Sequence, residues 1–210
     1  MRRLVLLGTL ALFIFITVEA VAKPVKTLNQ NEFMTAESLD AGLTQAGVHF
    51  SFGEGYQSYY PAFRFGLGAL FEAGLRAGVS TVQTWSEDKV APLLGGDIKY
   101  QLVKSTEGVP VDMAIDLGFD THFISDKNVS DLSFATTFSR SFPLTDRGYK
   151  VTPYGGLEVS ALYGSYFPKN ETDYYVFAGV EWKFTQKSML YLELKTGEHT
   201  VGGLGVRFEY

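Results

Sequence analysis

Asp112, Asp116 and Asp120 recur every four residues, and His122 follows two places after the last of them. In an extended strand this spacing puts all four side chains on one face, with about 13 Å between successive aspartates. Carboxylates that far apart cannot share one metal ion. They can form a wall that attracts cations, or each can answer an Arg or Lys on a nearby strand. Asp120 and His122 are close enough for the carboxylate to orient the imidazole as a general base. Hydrolysis would need more: a facing acidic pair, or a serine beside a histidine. The acidic candidates Glu87 and Asp88 are adjacent and point opposite ways if extended. His49, His122 and His199 are the only histidines, on separate segments, with no serine in a nameable motif beside any of them.

The stripe belongs to the clearest of a series of alternating segments. Val111, Met113, Ile115, Leu117, Phe119 and Phe123 occupy the face opposite the aspartates. Such alternation marks a strand with one apolar and one polar face. From Gly42 onward, similar segments alternate with clusters of Gly, Asp, Asn, Lys and Ser that signal turns. Ten segments are expected: Thr44 to Gly53, Tyr59 to Ala69, Ala73 to Val82, Leu93 to Val103, Val111 to Phe123, Asp131 to Phe142, Val151 to Tyr163, Tyr174 to Phe184, Met189 to Thr196, and the terminal strand. Merging or splitting the ambiguous ones gives eight or twelve. The minority face is charged. It carries Arg64, Arg76, Lys99, Lys183, Lys195 and Arg207 against Asp97, Asp112, Asp116, Asp120, Glu158, Glu181, Glu193 and Glu209, with His122 among them.

Residues 1–22 have the layout of a secretory signal: Arg2 and Arg3, an apolar run from Leu4 to Val18, and Ala20-Val21-Ala22 before Lys23. Two of the 18 basic and one of the 23 acidic residues lie there, which leaves 16 against 22 and disfavours nucleic acid as a partner. The absence of cysteine removes disulfides, thiolate nucleophiles and iron-sulfur sites. No later apolar run is long enough for a membrane helix, so a bilayer could be crossed only by a closed barrel. The expected organisation is a signal peptide over 1–22, a polar periplasmic lead over 23–41 and an outer-membrane barrel over 42–210. The fold class is all-β, a closed antiparallel transmembrane β-barrel. The apolar set then meets lipid, and aromatics near strand ends, Tyr59, Tyr60, Tyr163, Tyr166, Phe167, Tyr174, Trp182, Phe184 and Tyr210, form the interfacial girdle.

Val151-Thr152-Pro153-Tyr154-Gly155-Gly156-Leu157-Glu158-Val159 resembles the proline-tyrosine-glycine strand of small bacterial outer-membrane barrels of the OmpA, OmpX and OmpW type. The close of the chain, Gly205-Val206-Arg207-Phe208-Glu209-Tyr210, is similar to the signal read by the barrel-assembly machinery, with Tyr where Phe is usual. The resemblance covers about the last sixty residues and implies a Gram-negative cell envelope, outer-membrane lipid as the surroundings and the assembly machinery as a partner. The usual members have eight strands, and the count of ten departs from them. Asp120-Thr121-His122 also looks like half of the constellation of omptin-type outer-membrane proteases, without the facing acidic pair.

The expectation is a structural or surface barrel without enzymatic activity, cofactor or metal. A narrow porin-like channel for ions or small polar solutes is the main alternative, lined by Arg64, Arg76, Asp97, Lys99, Asp112, Asp116, Asp120, His122, Glu158, Glu181, Lys183 and Arg207. A hydrolase with a rim Asp/His pair is the other. Ten strands enclose little more than side chains can fill, so the inward charges are expected to pair across the lumen and plug it, with the many small inward residues making room for the long stems.

Overall fold

A computed structural model describes residues 28–30, 33–83, 87–106, 108–144, 149–166 and 170–210. The expected signal peptide over 1–22 lies outside them, as does Phe167. The described residues form eleven strands: β1 (Thr44–Gly53), β2 (Tyr56–Gly66), β3 (Phe71–Gln83), β4 (Asp88–Val103), β5 (Asp112–Ile124), β6 (Lys127–Ser139), β7 (Phe142–Pro143), β8 (Lys150–Gly164), β9 (Glu171–Lys183), β10 (Ser188–Gly197) and β11 (Thr200–Glu209). Each long strand pairs antiparallel with its neighbours in sequence, β6 pairs with β8, and β1 pairs with β11, so ten strands close into a barrel. β7 is a two-residue annex on the edge of β8.

The wall forms because alternation and closure satisfy different demands of the same chain. Closure pairs every strand and leaves no open edge for lipid to meet. Alternation sends Val48, Leu75, Leu94, Ile98, Leu117, Phe134, Leu157 and Val176 outward, where they remain exposed, and the charged set inward, where it is buried. A soluble sandwich would invert this, burying the apolar face and wetting the charged one. A closed wall with an apolar outside and a polar inside is a transmembrane barrel.

Several strands extend beyond their expected limits, because the turns at one end are tighter than the turn-rich sequence suggests. β1 and β2 are joined by Glu54 and Gly55, with Gly55 at φ 81°, and β5 and β6 by Ser125 and Asp126, with Ser125 at φ 58°. β2 therefore starts at Tyr56 rather than Tyr59, and β6 runs from Lys127 to Ser139 rather than from Asp131 to Phe142. Tyr60 is not part of the girdle. It shares parity with Arg64, points into the barrel and is 3% exposed. Tyr59, Tyr163, Tyr174, Trp182, Phe184 and Tyr210 are exposed.

The largest departure concerns the polar stretch expected to be a periplasmic lead. Of its described residues, 28–30 and 33–39 lie inside the barrel and Asp40 and Ala41 are exposed at its mouth. Leu28 packs among Tyr56, Val82, Ala91, Ile124, Val129, Leu162 and Val201, all beside the tight-turn end, which we call the hairpin end. Phe33 packs with Tyr60, Leu93, Tyr154, Phe177 and Tyr191 halfway down. Asp40 and Leu43 then turn the chain into β1 at the opposite, terminal end, where Gly42 N–H donates to Gly66 C=O and Gly66 N–H to Leu43 C=O. A Cβ on Gly66 would overlap the Asp40 carbonyl, so this turn seats only against glycine. A polar composition suits such a course, since inside this barrel the walls are charged and a solvent-exposed lead is not the only place where polar backbone finds partners.

Candidate functional site: a lumen closed by the chain's own segment

The wall's ion pairs run sideways, between strands that are adjacent or one strand apart. On β2 to β5, Arg64 gives Nη1 and Nη2 to Asp97 at 3.0 and 2.8 Å and its Nε to Glu72. Arg76 grips Asp120 through Nε and Nη2 at 2.7 and 2.6 Å, a bidentate pair. Lys99 lies 3.0 Å from Glu72. Glycine makes room for this array: a Cβ on Gly74 would press on both Asp97 oxygens and on Arg64, and one on Gly95 would overlap Asp120. All these charges are almost fully buried, and their mutual pairing offsets the large cost of removing them from water.

The segment spans the gap between this array and the far wall. Near the hairpin end, the Asn29 amide donates to Asp131 at 2.9 Å and Glu158 at 2.6 Å, its carbonyl oxygen accepts from Lys195 Nζ at 2.8 Å, and its backbone C=O accepts from Tyr56. Lys195 also donates to Gln30 C=O at 2.7 Å and pairs with Glu158. Halfway down, Phe33 N–H donates to Glu193 at 2.8 Å, and its ring stacks on His49, 5.0 Å between centroids. Further on, Lys99 donates to Thr35 C=O and Glu37 C=O at 3.0 and 2.9 Å, Ala36 N–H donates to Ser139 Oγ, Ser38 N–H to Gln101 and Leu39 N–H to Glu72. At the terminal mouth, beyond the spanning strands, burial pushes the Glu37 carboxyl up, but the Lys150 ammonium 2.7 Å away outweighs this and holds it below its usual range.

The residues expected to line the lumen all face it, and their partners are now assignable. Eleven of the twelve are buried; Lys183, beside Glu209 near the terminal mouth, is half-buried. Glu181 accepts from Tyr191, and Arg207 donates to His49 Nε2 at 3.1 Å while its guanidinium covers the Tyr191 ring. The aspartate stripe does not form three matching ion pairs. Asp120 is held by Arg76, Asp112 accepts from Gln101 and from Ser105 N–H, and neither Asp116 oxygen has a hydrogen-bond partner among the described residues. The expected pairing across the lumen is corrected too. Side chains pair along the wall, and it is the backbone and amides of 28–30 and 33–39 that cross.

Asp120 and His122 are neighbours without being a dyad. Asp120 faces Arg76, while His122 is fully buried between Ser80 Oγ at 3.1 Å from Nδ1 and the Gln30 amide nitrogen at 3.4 Å from Nε2. The segment thus covers the imidazole face that a substrate would have to reach. Glu72, Asp131, Glu193 and Lys195 prove as central as the twelve lining residues. Parity on their strands already marks Glu193 and Lys195 as inward. Parity also marks Asp131, the first residue of the expected sixth segment, as inward beside the outward Leu132, whereas Glu72 is hidden from that logic by its place at an expected turn.

At the terminal end a polar cavity of about 200 Å³ remains between Glu37, Ser38, Gln45, Lys150, Lys183 and Glu209. No protein-family model matches the chain, nor does any curated protein sequence. Among solved structures it is similar to the N-terminal barrel domain of Pseudomonas aeruginosa OprF, with 14% identity and a TM-score of 0.41 over 82% of this chain and 100% of that one. It is similar to the translocator domain of the autotransporter NalP from Neisseria meningitidis, with 13% identity and a TM-score of 0.48 over 81% and 89%. It is also similar to the KdgM porin solved with disordered oligogalacturonate, with 14% identity and a TM-score of 0.40 over 78% and 98%. Its own closed ten-stranded wall, apolar outside and charged within, makes the chain an integral outer-membrane β-barrel protein.

Proposed function

We propose that the protein works as a closed barrel, a structural or surface element of the outer membrane without enzymatic activity, whose lumen is sealed by residues 28–30 and 33–39. The observation that carries this reading is the continuity of the seal. Leu28 fills the apolar hairpin end, Asn29 and Phe33 bind the wall in the middle, and Ser38 and Leu39 bind it near the terminal end. With both ends of the wall in the periplasm, the hairpin end faces outward. Outer-membrane lipid covers the exterior, and the terminal strand engages the barrel-assembly machinery during insertion.

A narrow channel is the second reading, favoured by the polar cavity at the terminal end. Single-channel conductance of the refolded mature protein decides between them, with a heat-modifiability gel to prove folding. A folded barrel that passes no current supports the sealed reading. Steady steps that scale with salt concentration overturn it and make the protein a channel.

A further inference from the structure

We propose that Asp173, Glu198 and His199 form a binding site for a divalent transition-metal ion at the hairpin end, with Zn²⁺ as the fitting ion. Their ligand atoms, two carboxylate oxygens and one imidazole nitrogen, all lie within 4.8 Å of one another. Two features of the chain bring them together. Gly197, the last residue of β10, lies against β9 so closely that a Cβ there would overlap the Tyr174 carbonyl oxygen. The turn beyond it is tight, with Gly197 N–H donating to His199 C=O at 3.1 Å. The β10–β11 turn is therefore pressed onto β9, with Glu198 and His199 beside Asp173.

Asp173 is the built part of the site. It is 1% exposed, and Tyr175 donates its hydroxyl to Oδ2 at 2.9 Å, the kind of outer hydrogen bond that orients a ligating carboxylate. Glu198 is exposed and free to swing. Bonds of about 2.0 to 2.2 Å to Zn²⁺ require the three donors to close by roughly an ångström, and the Glu198 side chain can supply that movement. Two carboxylates held together repel unless a cation sits between them. One nitrogen and two oxygens suit Zn²⁺ and its first-row neighbours, while Ca²⁺ calls for six to eight oxygens. A fourth position stays open to water. The bound ion would clip the β10–β11 turn to β9 above Asn29 and Lys195, stiffening the mouth over the buried segment.

The test is titration of Zn²⁺ into untagged, metal-stripped, refolded mature protein in detergent, read by calorimetry or by competition with a chromogenic chelator. One Zn²⁺ per chain is expected, weakened at least tenfold by His199→Gln and by Asp173→Asn, and unchanged by Glu171→Gln on the same strand but outside the set. His199 lies in a turn, so His199→Gln decides if Asp173→Asn does not fold. No saturable binding, or equal binding by wild type and His199→Gln, overturns the proposal.

Discussion

A chain lacking residues 28–41 is expected to insert as a barrel and to conduct, and the intact protein to be silent. The wall needs nothing from the segment to close: β1 pairs with β11 and β2 through backbone bonds alone. The lateral pairs Arg64–Asp97 and Arg76–Asp120 also survive the deletion, since both partners belong to the wall. What disappears is everything that crosses the lumen. Lys195, Glu158, Asp131 and Glu193 lose Asn29, Gln30 and Phe33, and water takes their place. Small inward residues such as Gly47, Ser51, Ser58, Ser80, Ser133 and Ser160 then leave an open path. Planar-bilayer recording should change from no events to steady steps, with a lower unfolding temperature. A shortened chain that folds and stays silent would mean that the wall's side chains alone close the lumen.

Lys195→Met should destabilise the inserted barrel by about 3 to 5 kcal/mol, the usual cost of leaving a buried charge without its partner. Lys195 is fully buried, and its ammonium serves Glu158, the Asn29 side chain and Gln30 C=O at once. Methionine replaces the stem and none of those bonds. Glu158 is then left with the Asn29 amide, in a place it shares with Asp131. Adding Glu158→Gln should recover part of the loss by removing the stranded charge. Urea unfolding in lipid vesicles measures both variants. A loss below about 1 kcal/mol, the scale of a solvated pair, would show that water already reaches this level of the lumen.

The wall was legible in the sequence because lipid and lumen impose opposite demands at every second residue. Leu117 and Asp116 need only parity to be sorted to the two faces. Turn chemistry is a weaker guide. Glu54-Gly55 and Ser125-Asp126 close hairpins in two residues, so the loop-like residues around them continue as strand, and Tyr60, near the expected strand end, takes its inward place from the parity it shares with Arg64. The buried segment was not legible. Alternation encodes which face a strand residue takes, and the described residues between 28 and 41 are not a strand. Asn29, Gln30 and Phe33 are placed by partners more than ninety residues away on β5, β6, β8 and β10. The aspartate stripe shows the same limit. Spacing puts Asp112, Asp116 and Asp120 on one face, but only the far strands decide that Arg76 takes Asp120 and that Asp116 has no hydrogen bond among the described residues.

The chain has no cysteine, so a pair introduced by Ala36→Cys and Ser139→Cys gives an unambiguous reading of where the segment lies. Ala36 N–H donates to Ser139 Oγ at 3.0 Å from inside the barrel, which puts the two residues side by side. Oxidation of the folded double variant should produce an internal cross-link that shifts its mobility on a non-reducing gel. Each single variant should resist a bulky, membrane-impermeant thiol reagent. A folded double variant that forms no cross-link, together with an Ala36→Cys single variant that reacts at once with that reagent, would place the segment outside the barrel and contradict the sealed lumen.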